Sequence, residues 1–284
     1  MIIINKLDEL RRQLRGWRQA GETISLVPTM GNLHAGHLTL VQEALQQSDR
    51  CVVSIFVNPM QFGQGEDFAS YPRTLEEDAR QLKEAGVDLL YNPEVSEVYP
   101  QGQERQTRVE VPELSDKLCG ASRPGHFVGV TTVVCKLFNM VQPDLAVFGE
   151  KDFQQLMLIR RMVSDLAMPI EILGVATVRE VDGLAMSSRN GYLSPEQRRV
   201  APLLYQTLQG LKTQIEAQPA NYADLEQEAK QRLKEAGFVP DYLTVRRAAD
   251  LSLPEDEDRD LIILAAARLG RARLIDNLPF QVPG

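Results

Sequence analysis

Three histidines occur in the 284 residues, and two of them, His34 and His37, fall in the segment Pro28-Thr29-Met30-Gly31-Asn32-Leu33-His34-Ala35-Gly36-His37. The segment follows the apolar run Thr23-Ile24-Ser25-Leu26-Val27, which reads as a buried strand. It precedes Leu38, Val41, Ala44 and Leu45, whose spacing reads as one helical face. A strand, a glycine-bearing turn and a helix start bring backbone N–H groups and the positive end of a helix dipole to one point, which suits an anion such as phosphate. Imidazoles three residues apart share a helix face there. A single histidine near a helix start is ordinarily a surface group or a cap. For the pair, Gly31 and Gly36 remove side chains that would block a ligand's approach to the backbone, which favours a nucleotide or phosphate site. Zinc is the rival reading, but it needs a third and fourth ligand; His126 is distant in sequence, and the cysteines supply no convincing set.

Other residues could serve the same chemistry. Lys151, in Phe148-Gly149-Glu150-Lys151-Asp152-Phe153-Gln154-Gln155, follows a strand end and opens a helix, where a cation opposes the dipole unless an anion compensates it. The loop Gly183-Leu184-Ala185-Met186-Ser187-Ser188-Arg189-Asn190-Gly191-Tyr192 offers two hydroxyls and a guanidinium. Such loops are commonly connectors, but one near a domain junction can also close over a nucleotide. Gln61 and Gln155 are neutral amides beside strand ends, either surface residues or partners for a hydroxylated or carboxylate substrate. Arg123 and His126 form either a further anion-contacting loop or an exposed Pro-Gly turn. No serine sits in a nucleophile-elbow pattern.

These residues need a frame to hold them. The strand-like runs 23–28, 51–57, 87–91, 144–148 and 170–178 alternate with helical patterns at 37–48, 73–85, 129–141 and 151–166, which predicts a parallel, Rossmann-like α/β sheet over residues 1–177. Ligands of such sheets bind beyond the carboxyl ends of the strands, where the segments 28–37, 58–62 and 149–152 fall. From residue 178 the pattern changes. Ser194-Pro195-Glu196-Gln197 is a capping box opening a helix to about Ala217. A second helix at about 222–236 and short strands at Tyr242–Val245, Leu261–Ala266 and Arg273–Asp276 follow. Residues 178–284 therefore read as a smaller α+β domain.

Composition sets outer bounds. Hydrophobic residues make up 43% and charged residues 25% of the chain, as in an ordinary globular protein, and the net charge of −8 argues against a general nucleic-acid binder. Cys51, Cys119 and Cys135 are odd in number and widely spaced, consistent with reduced packing residues. The start Met1-Ile2-Ile3-Ile4-Asn5 lacks the features of a signal peptide, and no run approaches membrane-spanning length, so a cytoplasmic location without membrane partners is expected.

Together the histidine segment, Ser54-Ile55-Phe56-Val57-Asn58-Pro59-Met60-Gln61-Phe62, the Lys151 segment and Met186-Ser187-Ser188-Arg189-Asn190 closely resemble the pantothenate synthetase (pantoate–β-alanine ligase) family, a resemblance that extends to Arg273-Leu274-Ile275-Asp276-Asn277. The His-x-Gly-His element alone also occurs in nucleotidylyltransferases and class I aminoacyl-tRNA synthetases, which share the nucleotide-binding fold. The resemblance implies ATP-dependent condensation of pantoate with β-alanine through a pantoyl adenylate, releasing pyrophosphate and AMP. It implies ATP contacts from Met30, Gly31, Asn32, Leu33, His34, Ala35, Gly36 and His37, from Gly149, Glu150, Lys151 and Asp152, and from Val178, Met186, Ser187, Ser188 and Arg189. His37 would be the proton-donating histidine; His34, Lys151 and Arg189 would share the catalytic work. Gln61 and Gln155 would hold pantoate, with Gln61 also near β-alanine. The resemblance further implies Mg²⁺, a cytoplasmic homodimer, an ATP- and pantoate-binding domain over 1–177, and a lid and dimer-associated domain over 178–284. The metal ligands stay unassigned, with Glu77, Asp78 and Asp152 as candidates. A nucleotidylyltransferase and a catalytically idle ATP sensor compete with this reading; Gln61 and Gln155 favour the ligase, because a mere binder needs no acyl-substrate pocket.

Overall fold

The computed structural model describes residues 1–217 and 221–282. The chain divides into two compact units, Met1–Asp116 with Arg123–Ala176, and Lys117–Ser122 with Thr177–Gly284. The excursion 117–122 is a feature that a boundary at residue 177 does not anticipate.

In the first unit, β1 (Ile2–Ile4), α1 (Leu7–Gln19), β2 (Ile24–Thr29), α2 (Ala35–Gln47), β3 (Arg50–Ile55), α3 (Leu75–Glu84) and β4 (Leu89–Tyr91) are followed by the short α4 (Val95–Val98). After α5 (Cys119–Ser122), which groups with the second unit, come α6 (His126–Val141), β5 (Leu145–Gly149), α7 (Phe153–Asp165) and β6 (Glu171–Val175). All strand pairs are parallel, in the order β1-β4-β3-β2-β5-β6. The expected α/β Rossmann-like class is borne out. From β2 the chain winds outward through β3 and β4, and β5 returns to the opposite side of β2. The carboxyl ends of β2 and β5 therefore form the topological switch point, where open α/β sheets leave a crevice.

Burial explains the elements. Ile24, Leu26 and Val27 of β2 and Val52 and Val53 of β3 are all 0% exposed, as strands covered on both faces require. β1 and α1 lie outside the expected set; α1 buries Leu10, Leu14 and Trp17 along one stripe. α6 begins at His126, three residues before the expected start, because Gly125 adopts φ +78° and lets the chain turn directly into the helix.

The second unit contains α8 (Pro195–Val200), α9 (Leu203–Ala217), α10 (Tyr222–Glu235) and the antiparallel sheet β7 (Val239–Arg247), β8 (Asp260–Leu269) and β9 (Ala272–Gln281). The capping box at Ser194 is present, but the expected single helix to Ala217 is two. Pro202 lacks the N–H that would continue the ladder, and its ring clashes with the preceding turn. Leu208, Leu211 and Leu233 pack with Leu243, Val245 and Ile263 of the sheet. The excursion joins this unit through polar contacts. Lys117 Nζ donates to the Asp250 carbonyl at 3.5 Å, Cys119 Sγ lies 2.9 Å from the Tyr242 hydroxyl, and Arg273 donates to Ser122 Oγ at 3.2 Å.

Asp276, 3% exposed, accepts both terminal nitrogens of Arg179 at 2.7 and 2.9 Å, and the Arg179 guanidinium stacks 3.4 Å from the Tyr205 ring centroid. Asp276→Ala would strand Arg179. The expected loss is ~2–3 kcal/mol, below the usual cost of breaking a fully buried pair because Arg179 keeps some solvent. A urea unfolding midpoint measures it.

Candidate active site

The turn after β2 is built around one carboxylate. Gly31 and Asn32 adopt φ +79° and +52°, reversing the chain between strand and helix. Asp78 of α3, 1% exposed, accepts the N–H groups of Asn32 at 2.9 Å and Leu33 at 2.8 Å, and the Thr74 hydroxyl at 3.1 Å. A Cβ at Gly31 would lie 3.0 Å from Asp78 Oδ2, so this position needs glycine for space as well as conformation. Thr29 completes the turn by donating to the Ser54 carbonyl and accepting the Gly31 N–H.

This turn delivers His34 to the N-cap of α2 and His37 to its first turn, with ring centroids 4.0 Å apart. The His34 main-chain N–H donates to His37 Nδ1 at 3.3 Å. An accepting Nδ1 puts the proton of a neutral His37 on Nε2. Burial, followed by the charge of Lys151, lowers the His34 pKa to about 4 against an opposing pull from Asp152. Burial, then His34 and Lys151, lower that of His37 to about 3. Both imidazoles are therefore neutral near pH 7. They contribute oriented N–H dipoles, and no formal positive charge, at that pH. His34 Nδ1 is buried with no hydrogen-bond partner among the described residues, an unmet polar group in a candidate ligand site.

Lys151 follows β5 in a 3₁₀ turn, Glu150–Asp152, with Nζ 3.6 Å from the Asp152 carboxylate. The structure thus brings His34, His37, Lys151 and Asp152 into one electrostatic neighbourhood at the switch point. Gln61 joins it through Met30: its amide nitrogen contacts Met30 Sδ at 2.9 Å, and its amide oxygen accepts from Asn58 at 3.2 Å. Gln155 is half-buried in α7, whereas its neighbour Gln154 is buried and donates to the Leu114 carbonyl at 2.9 Å.

Val178 and Met186–Arg189 belong to the second unit. The Met186 N–H donates to the Val178 carbonyl at 3.0 Å, and Ser187 Oγ caps a 3₁₀ turn by accepting the Arg189 N–H at 3.2 Å. The Arg179–Asp276 pair anchors the hairpin that leads into this loop through the bridge between Arg179 and Ala185.

The roles of several site residues escape a reading of the sequence alone. From the sequence Asp78 is a metal candidate, yet it lies on the same stripe as Leu75 and Leu82, and that is the available signal for its role in the turn. Asn58, 1% exposed, accepts the Tyr99 hydroxyl at 2.7 Å and donates to the Gly129 carbonyl at 3.0 Å. A Cβ at Gly129 would fall 2.3 Å from the Met60 carbonyl oxygen, so the 3₁₀ turn Pro59–Gln61 lies directly on the α6 backbone. Arg123 is not available as an anion contact. Its guanidinium already holds Glu66 at 2.6 Å. Burial alone would raise the Glu66 carboxyl, but Arg123 overrides it and holds it at about 2.

Two of the three metal candidates, Asp78 and Glu77, are engaged elsewhere. Both oxygens of Asp78 are taken up by the turn, and Glu77 binds Arg80. Among the described residues no group of three or more histidine, cysteine, aspartate or glutamate side chains could hold a metal. Nor is any helix among them long and apolar enough to cross a membrane.

Fold and site together define a doubly wound α/β protein, a class whose ligands bind at the switch point of the sheet. Residues 2–279 match the pantoate-beta-alanine ligase family model. The chain is 59% identical over 278 residues to the pantothenate synthetase of Idiomarina loihiensis, covering 98% of this chain and 97% of the relative. It is 57% identical to that of Shewanella oneidensis, covering 99% and 100%. Among solved structures, the pantothenate synthetase of Thermus thermophilus superposes with a TM-score of 0.90 at 48% identity, covering 98% of this chain and 99% of that one. The pantoate-beta-alanine ligase of Francisella tularensis, solved with beta-gamma ATP and beta-alanine, gives 0.81 at 33% identity, covering 98% and 97%. The chain belongs to the pantoate–β-alanine ligase family, as its motifs indicated, and its activity is the condensation of pantoate with β-alanine.

The histidine assignment is open to direct measurement. In ¹⁵N-resolved NMR of the ligand-free protein at pH 6, His37 should be neutral with its proton on Nε2; an imidazolium there would overturn the assignment. The sign for stability follows. The unfolded chain takes up these protons near pH 6.5, the folded protein only near 4 and 3, so stability falls as pH drops through that window.

Proposed function

We propose that the turn Met30–His37, Gly149–Asp152, Val178 and Met186–Arg189 bind ATP, and that Gln61 and Gln155 hold pantoate beside it. The observation that carries this reading is the meeting of His34, His37 and Lys151 beyond the carboxyl ends of the adjacent strands β2 and β5. A carboxylate oxygen of pantoate attacks the α-phosphorus of ATP, and the bond to pyrophosphate breaks. The amine of β-alanine then attacks the carbonyl of pantoyl adenylate and displaces AMP. Adenylation is needed because oxide is an impossible leaving group and AMP is a good one.

In the first step one anion approaches another, so the site must offset repulsion and the charge growing on the phosphates. Lys151 and Arg189 supply positive charge, and His37 donates through Nε2–H. A neutral imidazole in this role loses nothing to solvation by counterions and can strengthen its hydrogen bond as charge develops. The thioether of Met30 is a poor acceptor, so a substrate oxygen can take over the Gln61 amide at little cost. The second step needs no protein nucleophile; holding the amine against the acyl carbonyl and excluding water suffice. Mg²⁺ belongs to the same proposal; phosphate oxygens and water would hold it in the main, and it would offset phosphate charge. A cytoplasmic homodimer rests on the family resemblance.

Pantoate labelled with ¹⁸O in its carboxylate, incubated with the protein, ATP, Mg²⁺ and β-alanine, should yield pantothenate with label in AMP; unlabelled AMP would defeat the acyl-adenylate route. Pantoate-dependent ATP–pyrophosphate exchange without β-alanine isolates the first step. Exchange by His37→Ala and Lys151→Ala should fall about two to three decades with the fold kept, as loss of one transition-state donor typically costs. Near-normal exchange would remove both from the mechanism.

A further inference from the structure

The loop after β3 is fixed at a point that the reaction scheme leaves unused. His126, the first residue of α6, lies with Nδ1 2.8 Å from the main-chain carbonyl oxygen of Gln61, and Arg123 reaches the same oxygen at 3.3 Å. A carbonyl only accepts, so His126 carries its proton on Nδ1 and presents a lone pair on Nε2. That lone pair lies 2.8 Å from Arg123 Nη1, which donates to it. Arg123 is in turn held by both carboxylate oxygens of Glu66, each at 2.6 Å. Glu66 also accepts the Gly63 N–H at 3.2 Å, closing the circuit within the loop that leaves Gln61. Every donor in this chain meets an acceptor in one sense only. The direction of the hydrogen bonds is therefore fixed: the guanidinium donates to the carboxylate and to the imidazole, and the imidazole donates to the carbonyl.

The other face of the same turn is set by packing. Gly129, one helical turn beyond His126, allows the Met60 carbonyl onto the α6 backbone, and Asn58 ties Gly129 to the Gln61 amide oxygen. Gln61 is thus held at its main chain by His126 and Arg123 and at its side chain by Asn58. Burial, the Arg123 charge and the Gln61 contact bear on the His126 ring together with Glu66 and Asp152, and its pKa is lowered to about 4, consistent with a neutral ring.

We propose that Glu66, Arg123 and His126 are positioning residues for pantoate, acting through the Gln61 carbonyl to aim the Gln61 amide while leaving the nucleotide-binding turn alone. The inference rests on the assignment of Gln61 to pantoate. It predicts that orientation of the Gln61 main chain governs pantoate affinity, and that the donor at the Nδ1 position of residue 126 is the atom that matters.

Two substitutions separate that atom from the rest of the ring. In His126→Asn the amide nitrogen takes the place of Nδ1 and keeps the donor to Gln61. In His126→Gln the amide lies nearer the place of Nε2 and keeps contact with Arg123 only. In pantoate-dependent ATP–pyrophosphate exchange, His126→Gln should raise the pantoate KM about tenfold, the effect of one positioning hydrogen bond, with the ATP KM unchanged. His126→Asn should restore the pantoate KM to within about threefold of the parent. A native pantoate KM in His126→Gln overturns the proposal. Equal impairment of both variants, or a matching rise in the ATP KM, overturns it too, since a merely structural ring would behave so. A native pantoate KM in Gln61→Ala would instead sink the assignment of Gln61 to pantoate, which keeps the two failures distinguishable.

Discussion

The site depends on a buried carboxylate that pairs with no cation among the described residues. Asp78 is stabilised by the N–H groups of Asn32 and Leu33 and by the Thr74 hydroxyl, and in exchange it holds the turn in a left-handed conformation that it would not keep alone. Leaving such an acceptor without its donors costs ~1–3 kcal/mol per group. The placement of the turn is therefore coupled to that of helix α3. Because α2 starts from this turn, the placement of both imidazoles follows from a residue on a different helix.

A second constraint is dielectric. The same burial that makes N–H groups effective donors to a phosphate removes charge from His34 and His37, whose pKa values fall to about 4 and 3. Net positive charge in the first unit's cluster is left to Lys151, partly offset by Asp152 at 3.6 Å. A site arranged this way favours charge that appears during reaction over charge already present on the bound substrate, which is the distinction that separates catalysis from tight binding.

Much of this was legible in the sequence, and the exceptions share a cause. The strand-turn-helix signature around His34, the alternation that built the sheet and the capping box at Ser194 are local patterns, and each was recovered. The break at Pro202 was local too, but the strong cap upstream masked it. The short β1 carries only three residues, too few for a period to show, whereas the stripe Leu10, Leu14 and Trp17 of α1 was readable. What could not be read were partnerships across long sequence separations: Asp78 with Asn32, Glu66 with Arg123, and His126 with the Gln61 carbonyl. Arg123 and His126 were visible as chemically interesting, but their partner, and hence their role, was set by the fold.

The excursion Lys117–Ser122 has a bearing on how the protein can be divided. The chain passes between its two units three times, near residues 116, 122 and 176. A fragment ending at residue 177 would carry Lys117, Cys119 and Ser122 away from Asp250, Tyr242 and Arg273, exposing a thiol that is 8% exposed in the intact chain. The complementary fragment would keep Arg273 and lose the short helix it binds. Neither half is a self-contained module, so exchange of these units between relatives would have to carry six residues of the first half along with the second.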